Sequence, residues 1–322
     1  VGTLSILSPL FISTALLSSI PLPMVVGAMV SGAYFGDRSS YLSTSAHLSA
    51  AVSESTIHRT VPRMLKDSII PFLLSSVLFY IISPVPTVDS EILYNIKNVF
   101  DVKIWMLLPV AVLLLMIIFK VPVLKAIGTA VLSAFIISFF TRGDMSLNLI
   151  LYGYKSPVDE YSYLLNTNGF INMISVLMVI ASSALLNGVL KVSGLIKPLI
   201  NPVLKRSVSP VSIIVNTALT SAVLTLITCN QTLTAIITGD NFKEIYDENK
   251  IDKAFLASTI GNAGIGIVGI IPWNVNGLIV TALTDVPTTV YFKWSYFPIL
   301  LLLYALFIQP HLYKKIIEKT KI

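Results

Sequence analysis

The chain has 322 residues, of which 55% are hydrophobic and 12% charged, and its formal net charge is +6. Soluble globular chains average about 25% charged residues, so a water-facing surface around a core is excluded at a mean hydropathy of +0.83. The basic residues are scattered over loops between apolar runs, which excludes a nucleic-acid partner and marks one side of a membrane instead.

The apolar runs are long rather than alternating, which predicts transmembrane helices and not a β-barrel. Leu4 to Ile20 is a first span, closed by Pro21 and Pro23. Met24 to Phe35 is too short to cross a core of about 30 Å. It runs into Gly36, Asp37, Arg38, Ser39 and Ser40, then a Ser/Thr-rich stretch to Ser49, and reads as a broken or re-entrant element. Arg59, Arg63 and Lys66 form a basic interfacial segment leading into a span from Met64 to Ile82, kinked at Pro71. A mixed-charge loop covers 83–103, and Trp105 to Phe119 and Val121 to Phe140 are spans joined through Lys120 and Lys125. A second mixed loop covers 141–168, and Ile171 to Leu190 crosses again.

Ser209 to Gly239 is long enough for one crossing broken into two half-helices at Thr228-Cys-Asn-Gln-Thr232. Asp240 to Lys253 follows as a charged loop. Ala254 to Thr284 is interrupted at Gly261-Asn-Ala-Gly-Ile-Gly266 and at Pro272-Trp273-Asn274, as a re-entrant hairpin would be. Val290 to Ile308 is the last span, before a tail with Lys314, Lys315, Lys319 and Lys321. Placing the Arg59–Lys66 segment, the Lys120/Lys125 turn, the Lys191–Arg206 loop and the tail inside puts 83–103, 141–168 and 240–253 outside. That scheme requires 254–284 to leave by the side it entered.

Interrupted membrane helices are tolerated only where protein or a water-filled cavity covers the freed backbone groups. Paired interruptions in two halves point to the binding site of a carrier. The expected fold is therefore an all-α polytopic membrane protein with inverted repeats, broken helices and re-entrant hairpins. It forms a single domain over 1–322, with repeat-like halves at about 1–140 and 170–310.

An intramembrane carboxylate costs about 2.5–3.5 kcal/mol to insert and is a functional candidate by default, which singles out Asp37. The alternative is a closed ion pair with Arg38. Ser39, Ser40, Ser43, Thr44 and Ser45 offer oxygens for a hard cation, or bond their own backbone. Asn230 and Gln231 are adjacent amides on different helix faces, so one packing contact cannot satisfy both. Asn262 and Asn274 are the polar groups a hairpin tip would present. Gly264-Ile-Gly-Ile-Val-Gly269 fits a dinucleotide-binding pattern but follows no strand and lies in a membrane-grade stretch, so it is set aside. Glu54 and His58 are four apart and suit a proton relay or a solvated pair. The lone Cys229 and the histidines His47, His58 and His311 give no metal cluster or nucleophile–base set, so an enzyme is not expected.

Gly27-Ala28 with Ser31-Gly-Ala-Tyr-Phe-Gly-Asp-Arg38 resembles the NhaC-type sodium/proton antiporter family. So do Leu165-Asn166 with Gly169 and Met173, Asn230-Gln231, and Ile271-Pro272-Trp273-Asn274 with Gly277. The resemblance implies that the chain lacks the family's first few spans. It also implies that a second acid of the family falls on Thr44, an asparagine on His47, a proline on Tyr41 and an acidic pair on Gly261 and Asn262, leaving Asp37 as the surviving acid. What it implies for function is sodium/proton antiport by alternating access in a bacterial-type cell membrane. The proposed site is Asp37, Arg38, Ser39, Ser40 and Thr44 facing Asn230, Gln231, Asn262 and Asn274. No cofactor is expected beyond a sodium ion near Asp37, and the partners are the lipid bilayer with sodium and protons. The alternatives are a carrier for a small carboxylate or amino acid, with Arg38 holding the carboxylate, and a non-functional truncated remnant.

Overall fold

The computed structural model describes residues 2–41, 43–85, 103–119, 121, 123–142, 147–155, 169–194 and 197–320, and no strand occurs among them. In chain order the helices are α1 (Gly2–Leu17), α2 (Leu22–Ser39), α3 (Thr44–Val52), α4 (Ile57–Ile82), α5 (Leu108–Ile118), α6 (Val123–Arg142), α7 (Leu147–Tyr152) and α8 (Met173–Ser193). They continue as α9 (Lys197–Lys205), α10 (Pro210–Thr228), α11 (Gln231–Glu248), α12 (Lys253–Ala263), α13 (Val275–Thr284), α14 (Thr288–Tyr291), α15 (Tyr296–Leu303) and α16 (Gln309–Thr320). A 3-10 segment, Ile265–Ile270, joins α12 towards α13, and a π segment, Tyr304–Ile308, joins α15 to α16. Among the described residues, four runs are long and apolar enough to cross a bilayer: Ile57–Ile82, Pro210–Thr228, Lys253–Thr284 and Tyr296–Lys314. The chain is a multi-pass α-helical membrane protein. Most of the loops read at 83–103 and 141–168, with Leu165, Asn166 and Lys120, lie outside the described residues.

The first broken crossing is α2–α3. Pro21 and Pro23 start α2 where an N–H would be orphaned anyway. The helix runs on to Ser39, longer than the apolar run alone predicts, and stops where Ser40 turns extended. Ser43 restarts the chain as α3 by accepting a hydrogen bond from the Ala46 N–H at 3.1 Å. α4 then returns through 26 residues, about 39 Å at 1.5 Å per residue. It absorbs the basic segment as its first turns, with Pro62 and Pro71 inside the helix.

Two expectations for the second half change, and they change together. The break at residues 228–232 does not continue a crossing; it reverses it. Cys229 takes a left-handed conformation (φ 55°), and the Asn230 side chain caps α11 by accepting from the N–H groups of Thr232 (2.8 Å) and Leu233 (3.2 Å). α11 therefore packs back along α10: Ile213 and Ile214 share one core cluster with Phe242 and Tyr246, and the Tyr246 hydroxyl donates to Thr217 Oγ1 at 3.3 Å. Residues 197–206 and 240–253 consequently emerge at the same end.

Conversely, 253–284 is not a hairpin. Arg38 meets Asn262, the Tyr34 ring lies against Gly269, and Val280 and Leu283 cluster with Leu22, Val25 and Val26. These contacts walk down α2 from its end to its start, so α12–α13 runs antiparallel to α2 and crosses. α15–α16 then returns beside α4, from Tyr296 against Phe79 (ring centroids 4.7 Å) to Tyr304 at Asp67 (3.1 Å). A hairpin and a crossing have exchanged places, which leaves the C-terminal tail on the side that the charge pattern assigns to it.

Gly27 is where α2 approaches the 292–294 turn most closely, since a β-carbon there would lie 2.5 Å from Trp294 Cβ. The hairpin makes a direct prediction. In a Cys229→Ser background, Val208→Cys and Glu248→Cys are modified by an impermeant thiol reagent from the same face of oriented vesicles. Modification from opposite faces would restore the single-crossing topology.

Candidate functional site

A cavity of about 1070 Å³ runs along α2 from Ile20 and Met24 to the α2–α3 break. At the break it is lined by Asp37, Ser40, Ser43, Thr44 and Ser45, with Gln231 reaching in from the tip of the α10–α11 hairpin. Asp37 Oδ1 accepts from Ser43 Oγ at 2.7 Å, and Oδ2 accepts from Ser45 Oγ. Ser43 thus serves two ends, capping α3 and holding the carboxylate, and the N-terminal dipole of α3 favours negative charge at this place. Among the described residues no cationic side chain pairs with Asp37, and no Lys, Arg or His lines the cavity.

The sequence-predicted residues therefore separate. Asp37, Ser40, Thr44 and Gln231 share the cavity. Arg38 points away from Asp37 into the protein, 4% exposed. Its Nε donates to Ser68 Oγ at 3.1 Å and its Nη2 to Asn262 Oδ1. Asn262 Nδ2 donates to Gln309 Oε1 at 2.9 Å, and Gln309 Nε2 to Thr259 Oγ1 at 2.8 Å. The closed Asp37–Arg38 pair is replaced by a network that ties α2, α4, α12 and α16. Ser39 bonds its own helix at Phe35 O (2.8 Å), Asn230 caps α11, and Asn274 caps α13 through the Asn276 N–H at 3.1 Å. The two later breaks touch each other: Trp273 Nε1 donates to Leu226 O at 2.8 Å.

Asp67 is the residue that reading the sequence missed. It is wholly buried, and its carboxylate accepts from Arg63 Nη2 (3.0 Å), Tyr304 OH (3.1 Å), Ser258 Oγ (2.6 Å) and Tyr313 OH. The Arg63 guanidinium lies over the rings of Tyr313 and Phe255, at 4.2 and 4.8 Å from their centroids. The available signal was the i, i+4 spacing of Arg63 and Asp67 on a helix. With four donors, this carboxylate is saturated and holds helices together.

One end of the molecule carries a cluster of ion pairs. Glu54, left-handed at φ 54° in the α3–α4 turn, meets Lys253 at 2.7 Å and Lys243 at 3.3 Å. Lys253 also meets Asp247 at 3.0 Å, and Arg59 meets Asp252 at 2.5 Å. Hydrogen bonds from Lys253 and Lys243 hold the Glu54 carboxyl below its ordinary range, and Glu54 raises the Lys243 ammonium in return. Since the Glu54 pKa is depressed, the pairing is complete above the ordinary carboxylate range and is lost only as pH falls through the lowered value. The Glu54–His58 relay is not formed; the His58 ring sits beside Tyr41, 5.7 Å between centroids.

Interrupted crossings, a deep hairpin and a carboxylate at the end of a cavity define a polytopic membrane protein built around broken helices. Residues 32–310 match the model of the Na+/H+ antiporter family, and the chain belongs to that family. It is 27% identical over 292 residues to the malate-2H(+)/Na(+)-lactate antiporter of Bacillus subtilis, covering 86% of this chain and 62% of that protein. It is 25% identical over 308 residues to the Na(+)/H(+) antiporter NhaC of the same species, covering 92% and 68%. It is 26% identical over 295 residues to the arginine/ornithine antiporter ArcD of Halobacterium salinarum, covering 87% and 61%. The chain thus spans 61–68% of the length of these relatives. No solved structure matches it significantly.

Removing one partner of a buried ion pair costs about 3–5 kcal/mol. Asp67→Ala is accordingly expected to lower the unfolding temperature in detergent far more than Asp37→Asn, which loses only two hydroxyl contacts. Equal shifts for the two variants would contradict the division of roles.

Proposed function

We propose that the chain is a secondary active carrier that exchanges sodium for protons by alternating access, with Asp37 as the shared binding group. The observation that supports this is a cavity-facing carboxylate held by two serine hydroxyls and by no cation. Both hydroxyls can turn their lone pairs to an incoming ion, whereas an arginine in contact would have to be displaced first. Asp37, Ser40, Ser43, Thr44 and Ser45 line one cavity and offer sodium their oxygens, and a proton finds the same carboxylate. Competition for one group couples the two fluxes without further machinery. Arg38 contributes by staying engaged with Ser68 and Asn262.

The volume of the cavity supports a second reading. A water occupies about 30 Å³, so a cavity of about 1070 Å³ exceeds what a bare ion needs. With an acid and no base on its walls, it suits a small organic cation such as a basic amino acid better than an organic anion. A malate- or lactate-like solute would find no positive partner there, because Arg38 is committed elsewhere. The membrane is read as the cell membrane. The end bearing Arg59, Lys243 and Lys253 is taken as cytoplasmic, since the Arg206 loop and the Lys314 tail share that side.

Proteoliposomes with an imposed sodium gradient test this. Wild-type protein is expected to move protons against sodium, Asp37→Glu to keep part of the flux, and Asp37→Asn to fall to background. Wild-type rates in Asp37→Asn would refute the role of Asp37. Arginine-driven flux with no response to sodium would replace the first reading by the second.

A further inference from the structure

The lining residues carry the cavity from Asp37 towards one end of the molecule. Its walls extend along α2 to Met24 and along α4 to Phe79 and Ser83, which lie at the end of the molecule opposite Glu54. Between Asp37 and Glu54 runs α3, nine residues long, about 14 Å at 1.5 Å per residue.

That short helix and its C-cap carry Ser45, Ser49 and Ser53 at four-residue spacing, so the three stand on one face. All are buried. Ser45 bonds Asp37, and Ser53 donates to the backbone oxygens of Ser49 (2.7 Å) and Ala50 (3.1 Å). The Ser49 hydroxyl, fully buried, has no hydrogen-bond partner. The Thr238 hydroxyl is also buried without a partner, on the helix that packs against α3. The backbone contact lies one residue on, at Gly239, where a β-carbon would fall 2.6 Å from Val52 O. Unpaired buried hydroxyls lose hydration and gain nothing in the closed arrangement. A state in which water or a hydrated cation passes between α3 and α11 would satisfy both.

The far end of this face is closed by charge. Glu54 follows Ser53 directly and is clamped by Lys243 of α11 and Lys253 of α12. Arg59 of α4 adds its pair with Asp252 beside them. These contacts tie the α3–α4 turn to α11 and α12. Exposed pairs of this kind are individually weak and screened by salt, which suits a closure that must open in each cycle.

We propose that the serine face of α3 is the second route between Asp37 and water, a passage for a hydrated cation, and that Glu54 with Lys243 and Lys253 is the latch that closes it. The inference rests on the exchange at Asp37 proposed above, because alternating access requires a route to each side of one site.

Thiol accessibility tests the route without requiring transport. In a Cys229→Ser background, Ser49→Cys and, separately, Thr238→Cys are exposed to an impermeant maleimide from the Glu54 side of oriented vesicles. Modification is expected to be slow with the latch intact. It should rise about fivefold or more in Glu54→Gln or in the Lys243→Gln, Lys253→Gln double variant, as expected for loss of weak ion pairs. High salt should accelerate modification in the latch-intact protein and add little in Glu54→Gln. Rates indifferent to both Glu54→Gln and salt, or modification only from the opposite side, would overturn the proposal. A latch response together with wild-type flux in Asp37→Asn would refute the Asp37 reading and keep the route. Flux that depends on Asp37, with unresponsive cysteines, would refute the route alone.

Discussion

Every polar backbone group freed inside a membrane must find a partner within the protein, and that constraint arranges this molecule. The breaks at α2–α3, α10–α11 and α12–α13 are each closed by one side chain: Ser43, Asn230 and Asn274 accept from the first N–H groups of the helix that follows. Each cap also fixes a direction. Asn230, after a left-handed Cys229, turns the chain back on itself; Ser43 and Asn274 let a crossing resume. The site follows from the caps, because the serine that restarts α3 is the one that holds Asp37.

Charge inside the molecule follows the same logic of satisfaction. Arg38, Arg63, Asp67 and Asp37 lie among the packed helices, and their formal charges cancel. Three of them are bound into networks between helices: Arg63 and Asp67 with Tyr304, Tyr313 and Ser258, and Arg38 with Ser68 and Asn262. Asp37 alone faces open volume, with only hydroxyl donors. The proposed exchange places its proton or sodium ion at this carboxylate. Its immediate neighbour Arg38 does not compete because Asn262, 224 positions away in the chain, claims the guanidinium.

Much of the fold was legible in the sequence because membrane spans announce themselves by length and hydropathy, and breaks by Gly, Pro and amides in apolar runs. The α2–α3 interruption and Asp37 within it could be read directly from Gly36-Asp37-Arg38. What local sequence does not encode is whether a break bends the chain back or lets it continue. Thr228-Cys-Asn-Gln-Thr232 and Pro272-Trp273-Asn274 each read as an interruption, yet the first reverses the chain and the second does not. Charge counting could not separate the two, since exchanging them leaves the basic tail on the same side. Asp67 escaped for another reason: it stands one residue beyond the basic segment, at the start of the span read from Met64, and its Tyr304, Tyr313 and Ser258 partners are some 190 to 250 positions distant. Asn262 was read as a polar group that a hairpin tip would present; in the structure it is buried and accepts from Arg38.

In the proposed exchange, sodium and protons compete for one carboxylate. Equilibrium binding of radiolabelled sodium to the purified full chain, repeated over a series of pH values, tests it without needing an oriented membrane. The account predicts saturable binding whose half-saturating sodium concentration rises as pH falls, with an unchanged number of sites, and no specific binding in Asp37→Asn. Sodium binding that persists in Asp37→Asn, or that ignores pH in the wild-type protein, would contradict it.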